Sequence, residues 1–339
     1  METVVITGGS LIADKIPDNH ENYLFPVLKL ENVDYRQLIG GKGLRYLTDA
    51  TKMALVTTNM LKEQTKVEEF CSERCGIVVA TNFSSLAAII DFDMAALTEG
   101  PRAVSAMQGP NLVLNATAAA LGIHHNITGF NTTISSGRVA SMDALEYAYE
   151  MIQKKEVDMV IVTGVEEIKK ECKECFIDMN LMGITDFSQL KSFSGTVLLE
   201  AETHAMKRGA KIYGRVLKFS SGFNSNYLIN GGNHTDGREE YTYMAEALSN
   251  DFHEIKNICI SPYCMITEDQ YELEFINDNF TNAKLISTYH VFGGELMGAS
   301  GIAQMLHSLH TFEPGKGIIF CNDWTGNFRS LLLEKMAVV

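Results

Sequence analysis

Short apolar, β-branched runs alternate with helical segments along nearly the whole chain, and any fold must satisfy that alternation. Residues 4–7 (Val-Val-Ile-Thr) read as a buried strand ending in Gly8-Gly9, and 49–61 as a helix with Ala54, Leu55 and Thr58 inward. Residues 76–80 are a β-branched strand, followed by an apolar helix over 84–98 that stops at Glu99-Gly100-Pro101. A second apolar helix spans 111–121 and closes at Gly122. A strand over 127–134 feeds a helix over 138–154, and 158–163 is a fully buried strand. The Val-Thr-Gly after it echoes the Ile-Thr-Gly of residues 6–8, a hint of duplication. Strands at 196–200 and 210–218 flank a helix at 201–208, and the Asn-, Gly- and Ser-rich stretch 220–237 reads as a loop. Helices at 239–251, 269–280 and 298–310 and strands at 257–261 and 317–321 complete the pattern. The expectation is a layered α/β fold with its sheet covered on both faces.

Within it, Asn131-Thr132-Thr133-Ile134-Ser135-Ser136-Gly137 joins a strand to a helix whose Val139, Met142, Leu145, Tyr149 and Ile152 share one face. Such an elbow presents a side chain at the positive end of a helix dipole, where a thiol would lose its proton readily. Here that side chain is Ile134, which has none to lose. Ser135 and Ser136 can act as nucleophiles only beside a base; the simpler reading is that they cap the helix.

The chain carries 28 Lys plus Arg against 42 Asp plus Glu, a net charge of −14, which argues against nucleic-acid or anionic-membrane partners. No run approaches the ~18 apolar residues of a membrane span. The start, Met-Glu-Thr-Val-Val, lacks the basic opening of a signal peptide, so a cytoplasmic location is expected. Seven cysteines fit free thiols better than a disulfide framework. The pairs Cys71/Cys75 and Cys172/Cys175 lack a compact zinc-ribbon setting, so neither a metal nor a cofactor is expected. His124-His125 is placed just past a helix, facing its last carbonyls.

Five segments together resemble the β-ketoacyl synthases of the thiolase superfamily. They are Val4–Gly8, Gly41-Lys42-Gly43-Leu44-Arg45, Thr133–Gly137, Gly195–Glu200 with Arg208-Gly209-Ala210-Lys211-Ile212-Tyr213, and Gly298-Ala299-Ser300-Gly301, in the family's order and near its spacing. The resemblance implies a thiolase-like α-β-α-β-α fold of two similar halves, about 1–200 and 201–339, forming one domain. It also implies where catalytic groups belong: a cysteine at Ile134, a first histidine in Ser261-Pro262-Tyr263-Cys264, a second at Glu295, and a lysine near His290. Asn322-Asp323-Trp324-Thr325-Gly326 stands where the family has a glycine-rich turn supporting the oxyanion. The cysteine, the two histidines and the glycine-rich turn are absent together.

Within that family the chain resembles the silent chain length factor, or β subunit, of type II polyketide synthases. It implies a heterodimer with an active ketosynthase (the α subunit), with an acyl carrier protein delivering the chain on phosphopantetheine, chiefly to that partner. Length-gating residues of the family fall on the 84–98 helix, at Leu86, Ile89, Ile90 and Asp93. The same positions also suit ordinary core packing. Asp93 favours the functional face, because a buried carboxylate is costly unless paired. The alternative function is an unconventional acyltransferase or hydrolase using Ser135 or Cys264. His290 lacks a partner to make it a base, and Glu295, if buried beside it, would form an interfacial ion pair.

Overall fold

The computed structural model describes residues 2–67, 70, 73–178, 189–224, 238–249, 252–260, 266–323 and 325–337. In chain order its elements are β1 (Val4–Ala13), β2 (Val27–Lys29), α1 (Tyr35–Ile39), α2 (Asp49–Thr65), β3 (Cys75–Ala80), α3 (Leu86–Thr98), α4 (Ala116–His125) and β4 (Asn131–Ile134). Then come α5 (Ala140–Gln153), β5 (Met159–Glu166), α6 (Lys170–Asp178), β6 (Phe193–Ala201), α7 (Glu202–Lys207) and β7 (Gly214–Phe223). The rest are α8 (Arg238–Leu248), β8 (Ile255–Ile260), α9 (Ile266–Asn279), β9 (Lys284–Ser287), α10 (Thr288–Phe292), α11 (Ser300–Thr311), β10 (Gly315–Asn322) and β11 (Asn327–Lys335).

The strands join in the order β4-β3-β5-β6-β1-β7-β11-β10-β8-β9, with β2 beside β1. The order is mirrored about its centre. From β4 inward the pairings run parallel, parallel, antiparallel, antiparallel; from β9 inward they run the same way. The two series meet where β1 pairs antiparallel with β7. This is the two-halved, layered α/β architecture the sequence implies. By that mirror β1 corresponds to β7 and β5 to β10, so the echo between residues 6–8 and 162–164 joins two non-equivalent strands and is not a trace of duplication.

Strand residues alternate between cores because the sheet is covered on both faces. Val78 and Ala80 of β3 share one cluster with Ile319 and Cys321 of β10, around Met142 and Leu145 of α5 and Ile302 and Leu306 of α11. Their neighbours turn the other way: Ile77 and Val79 pack on Met53 and Leu61 of α2, while Ile318 and Phe320 pack on Met244 of α8 and Phe275 of α9. Helices α5 and α11 therefore form a shared inner layer, and α2 and α8–α9 form outer ones. Within the family-like blocks, the buried Glu200 of β6 accepts from Arg208 Nε and His204 Nδ1, each at 2.8 Å, which fixes the β6–α7 turn.

Several boundaries differ from expectation. Strand β1 runs through Gly8-Gly9 instead of ending there, because helices close in on both faces: a Cβ at residue 8 would meet Thr65 of α2 at 2.2 Å, and one at residue 9 would meet Leu306 of α11 at 2.4 Å. The α4 helix continues past Gly122 to His125, and Asn126 takes the left-handed cap at φ 54°. The strand expected from 210 begins at Gly214 and continues to Phe223, shortening the expected 220–237 loop, most of which lies outside the described residues. Strands β9 and β11 were not anticipated; β11 forms a hairpin with β10.

Candidate functional site

The elbow begins on β4, an edge strand pairing in parallel with β3 from Ile77↔Asn131 to Ala80↔Ile134. The Thr81 N–H donates to the Ile134 carbonyl at 3.1 Å, which carries the pairing to the strand end. The chain then turns at Gly137 (φ +70°) into a short 3-10 turn, residues 137–139, that runs directly into α5. Glycine is required there twice over, for its φ and because a Cβ would lie 2.3 Å from Asp323 Oδ2. Ile134 is half-buried and packs against the central cluster. At the elbow's apex there is a hydrocarbon with nothing to ionise.

The polar groups around it are bonded to each other. Asn82 Oδ1 accepts from the Gly137 N–H at 3.2 Å and from Ser135 Oγ at 3.1 Å, and its Nδ2 donates to the Gly137 carbonyl at 2.9 Å. Asp323 Oδ2 accepts from the Arg138 N–H at 2.6 Å. Ser136 Oγ donates to Asp143, whose other oxygen accepts from Arg329. The expectation that Ser135 or Ser136 caps the helix is thus corrected. Asn82 and Asp323, distant in sequence but nearer the N–H groups, take that role, and the serines donate outward instead.

Beneath the elbow lies a buried ion pair. Arg138, fully buried, donates through Nε to Glu295 Oε2 at 2.9 Å and through a terminal nitrogen to the Asn322 carbonyl and Oδ1 at 2.8 and 3.1 Å. Glu295 Oε1 also accepts from the Met297 N–H at 2.7 Å and Ser300 Oγ at 3.0 Å. Glu295 is therefore paired with Arg138, overturning the expected pairing with His290. His290 is exposed on α10, with its ring edge-on to Tyr289 at 5.7 Å. Ser261 and Cys264 lie outside the described residues.

One residue that sequence reasoning passed over anchors the same region. Glu166, the fully buried end of β5, accepts from the N–H groups of Asn82 (2.7 Å), Phe83 (2.9 Å) and Gly298 (3.1 Å) and from Thr81 Oγ1 (3.2 Å). Burial pushes its carboxyl up to about 8, outweighing the four donors that pull it down. The thiol of Cys321 donates to the Arg138 carbonyl at 3.8 Å, and burial pushes it up to about 12, which removes it as a nucleophile at neutral pH. Signals for these residues were present in the sequence, as an arginine inside an apolar helix start and a Glu-Glu pair ending a buried strand. Their partners were not.

The expected gating helix, α3, differs from a core helix. Of its thirteen residues, only Ala87 is buried. Leu86 packs at the edge of the α8–α9 cluster, Ile89 and Ile90 are half-buried, and Asp93 is exposed, so the argument that Asp93 is a costly buried carboxylate fails. Met94 and Leu97 are 52% and 81% exposed, and Met107, Val113 and Ile123, further along the chain, are exposed as well. The inner side of α3, at Ala87, Ala88 and Asp91, borders a polar cleft of about 200 Å³ that Arg45, Lys52, Glu167 and Lys169 also line.

Cys75 and Cys172 are buried and lie in different clusters, and no group of three metal-ligating side chains occurs among the described residues. His124 and His125 form the last turn of α4 instead of following it. Burial lowers His125 to about 3, so its imidazole is neutral against Phe70 rather than a cation on the helix carbonyls. No helix among the described residues is long and apolar enough to cross a membrane.

Known proteins share this fold. Residues 30–198 match the family model "Beta-ketoacyl synthase, N-terminal domain". The chain is 23% identical to the 3-oxoacyl-[acyl-carrier-protein] synthase 1 of Buchnera aphidicola over 305 residues, covering 83% of this chain and 73% of that protein. It is 23% identical to the synthase 1 of Haemophilus influenzae over 327 residues, covering 89% and 78%. Among solved structures, the ishigamide ketosynthase/chain length factor superposes with a TM-score of 0.78 at 19% identity, covering 99% of this chain and all of that one. A β-ketoacyl synthase from Burkholderia phymatum superposes at 0.81 with 14% identity and the same coverage. A type II polyketide synthase ketosynthase, solved with its acyl-carrier protein and a bound hexaketide, superposes at 0.79 with 16% identity, covering 99% and 100%. With the family model on its first half and the fold agreeing from end to end, this chain belongs to the thiolase-like β-ketoacyl synthase family.

Proposed function

We propose that this chain is a catalytically silent ketosynthase-fold subunit, a chain length factor that pairs with an active ketosynthase and shapes the tunnel holding a growing polyketide. The observation that carries the reading is the elbow: Ile134 stands at its apex, and the N–H groups of Gly137 and Arg138 are bonded to Asn82 and Asp323. Condensation needs a nucleophile there and donors for developing oxyanion charge. Glu295 on the second-histidine position is engaged with Arg138, and exposed His290 supplies no substitute.

The partner follows from α3. An apolar helix with one buried residue is a face awaiting a neighbour, and obligate partners bury such faces. In this reading Leu86, Ile89 and Ile90 form part of the tunnel wall, with Asp93 at its margin. The chain acts as one thiolase-like domain, and the acyl carrier protein docks mainly on the active subunit, since this chain's net charge of −14 repels an acidic carrier. The acyltransferase or hydrolase alternative is weaker, because Ser135 Oγ is bonded to an amide oxygen and not to a base.

Co-expression with the ketosynthase, size-exclusion chromatography and a product assay test the reading. A one-to-one complex whose Ile89→Trp and Ile90→Trp variants shorten the product without abolishing it is the expected result. A chain that elutes alone and turns over an acyl thioester would refute it, as would condensing activity in Ile134→Cys.

A further inference from the structure

Three cations, Arg45, Lys52 and Lys169, share the cleft of about 200 Å³ beside α3 with three carboxylates, Asp49, Asp91 and Glu167. That space is several times the ~30 Å³ share of one water and smaller than a drug-sized pocket. Glu167, just past the end of β5, is 6% exposed. Its Oε2 accepts from the Ala50 N–H at 3.0 Å, whereas its buried Oε1 accepts no hydrogen bond among the described residues. Lys169 Nζ stands 3.3 Å from that Oε1 and 3.9 Å from Asp91 Oδ2, so it spans two carboxylates and closes on neither. A charge-assisted hydrogen bond would bring it to ~2.7–2.9 Å. Lys52, by contrast, meets Asp49 at 2.7 Å. Arg45 donates to the Tyr46 hydroxyl and lies 4.6 Å from that ring, and among the described residues it forms no ion pair.

The N-terminus of α2, which adjoins the cleft, is already served by Thr48 Oγ1 and Glu167 Oε2, so what stays open is a set of side chains. Burial pushes the Glu167 carboxyl up, against the pull of the Ala50 N–H and Lys169, and a cation bonded to Oε1 would relieve that cost. The loosely engaged groups are of both signs: Glu167 and Asp91 on one hand, Lys169 and Arg45 on the other. A bare anion would leave the carboxylates unmatched, and a bare cation would leave Lys169 and Arg45 so. We infer that the cleft binds a small zwitterion of the amino-acid class, its ammonium bonded to Glu167 Oε1 and Asp91 and its carboxylate to Lys169 and Arg45. The small side chains of Ala87 and Ala88 on α3 leave room for it. Recognition rests on this chain's residues alone and does not depend on the silent-subunit reading.

Isothermal titration calorimetry on the full chain tests this. Glycine and 4-aminobutyrate are the probes, zwitterions that differ in charge spacing, and butyrate and butylammonium at matched ionic strength carry one charge each. At least one zwitterion is expected to bind saturably, one per chain, with both single-charge molecules at least about tenfold weaker. Glu167→Gln keeps an acceptor for the Ala50 N–H but loses the charge, and should weaken the zwitterion about 10- to 100-fold. Arg45→Met removes an exposed cation and should weaken it by a similar factor, and Ala88→Leu should abolish binding by filling the cleft. The inference is overturned if neither zwitterion binds, if butyrate or butylammonium binds as tightly, or if the variants bind as wild type does. Should Glu167→Gln fail to fold, Arg45→Met carries the test. Because the readout is a small ligand on this chain, its failure leaves the subunit-pairing result untouched, and failure to pair leaves the ligand result untouched.

Discussion

The elbow and the outer face of α3 reverse the usual relation between polarity and burial. Around the elbow, Arg138, Glu166, Glu295 and Asp323 are buried, and each is held by hydrogen bonds from several elements. On α3, a segment rich in Leu, Ile, Ala, Phe and Met leaves all but one residue at least partly in solvent. The polar region is finished within the chain, whereas the apolar one is not. Buried charge survives only where geometry satisfies it, so the elbow is a rigid structural knot. Exposed apolar area has no internal use, which is why the proposed partner is placed on α3.

This contrast can be broken most sharply at Glu295. Glu295→Ala strands Arg138 in the core and is expected to cost ~3–5 kcal/mol in urea denaturation. The double replacement Arg138→Met/Glu295→Leu should recover most of that loss; if it does not, the knot is not electrostatic.

Gly298→Ala comes next. Its new methyl group would lie 2.6 Å from Glu166 Oε1 and 2.8 Å from Asn82 Nδ2, and overpacking of that kind costs ~1–3 kcal/mol. An unchanged midpoint would mean that the loop yields freely.

The pH dependence of Glu166 sharpens the same region. Its folded carboxyl is raised from 4.5 to about 8, so in that interval the native state holds a proton that the unfolded chain releases. The stabilisation is complete below the unfolded value and is lost as pH rises through about 8. Wild type should therefore lose stability from about pH 5 to pH 8 more steeply than Glu166→Gln, as measured by denaturation midpoints across that range. Equal slopes would mean the group is charged throughout.

The smallest effect on the chain itself is expected on α3. Leu97→Glu should change its stability by within ~0.5 kcal/mol and yet prevent copurification with the ketosynthase. A large loss of stability would place Leu97 in this chain's own packing, and retained copurification would move the interface elsewhere.

The elbow was legible because its parts are contiguous: strand, serines, glycine and amphipathic helix follow one another, and Ile134 is visibly wrong for a nucleophile. The inward faces of α2 and α5 were legible for the same reason, since helical periodicity is local. The helix caps were not. Serines beside a helix start are the natural candidates, but Asn82 and Asp323 reach those N–H groups from 55 and 185 residues away. The short edge strand β9 and the mixed pattern of β11 carry too weak an alternation to be told from loops.

By itself, the sequence determined the α/β class, the order of most elements, the family-like blocks and the absence of cysteine and histidine where the resemblance implies them. These rest on local periodicity and residue identity. Tertiary structure alone decided that Glu295 belongs to Arg138 and not to His290, that Asp93 is exposed, that Asp323 closes the elbow, and that an apolar helix lies on the surface. Each of these depends on which distant segments meet, and pairing across 157 or 185 residues leaves no periodic trace in the chain.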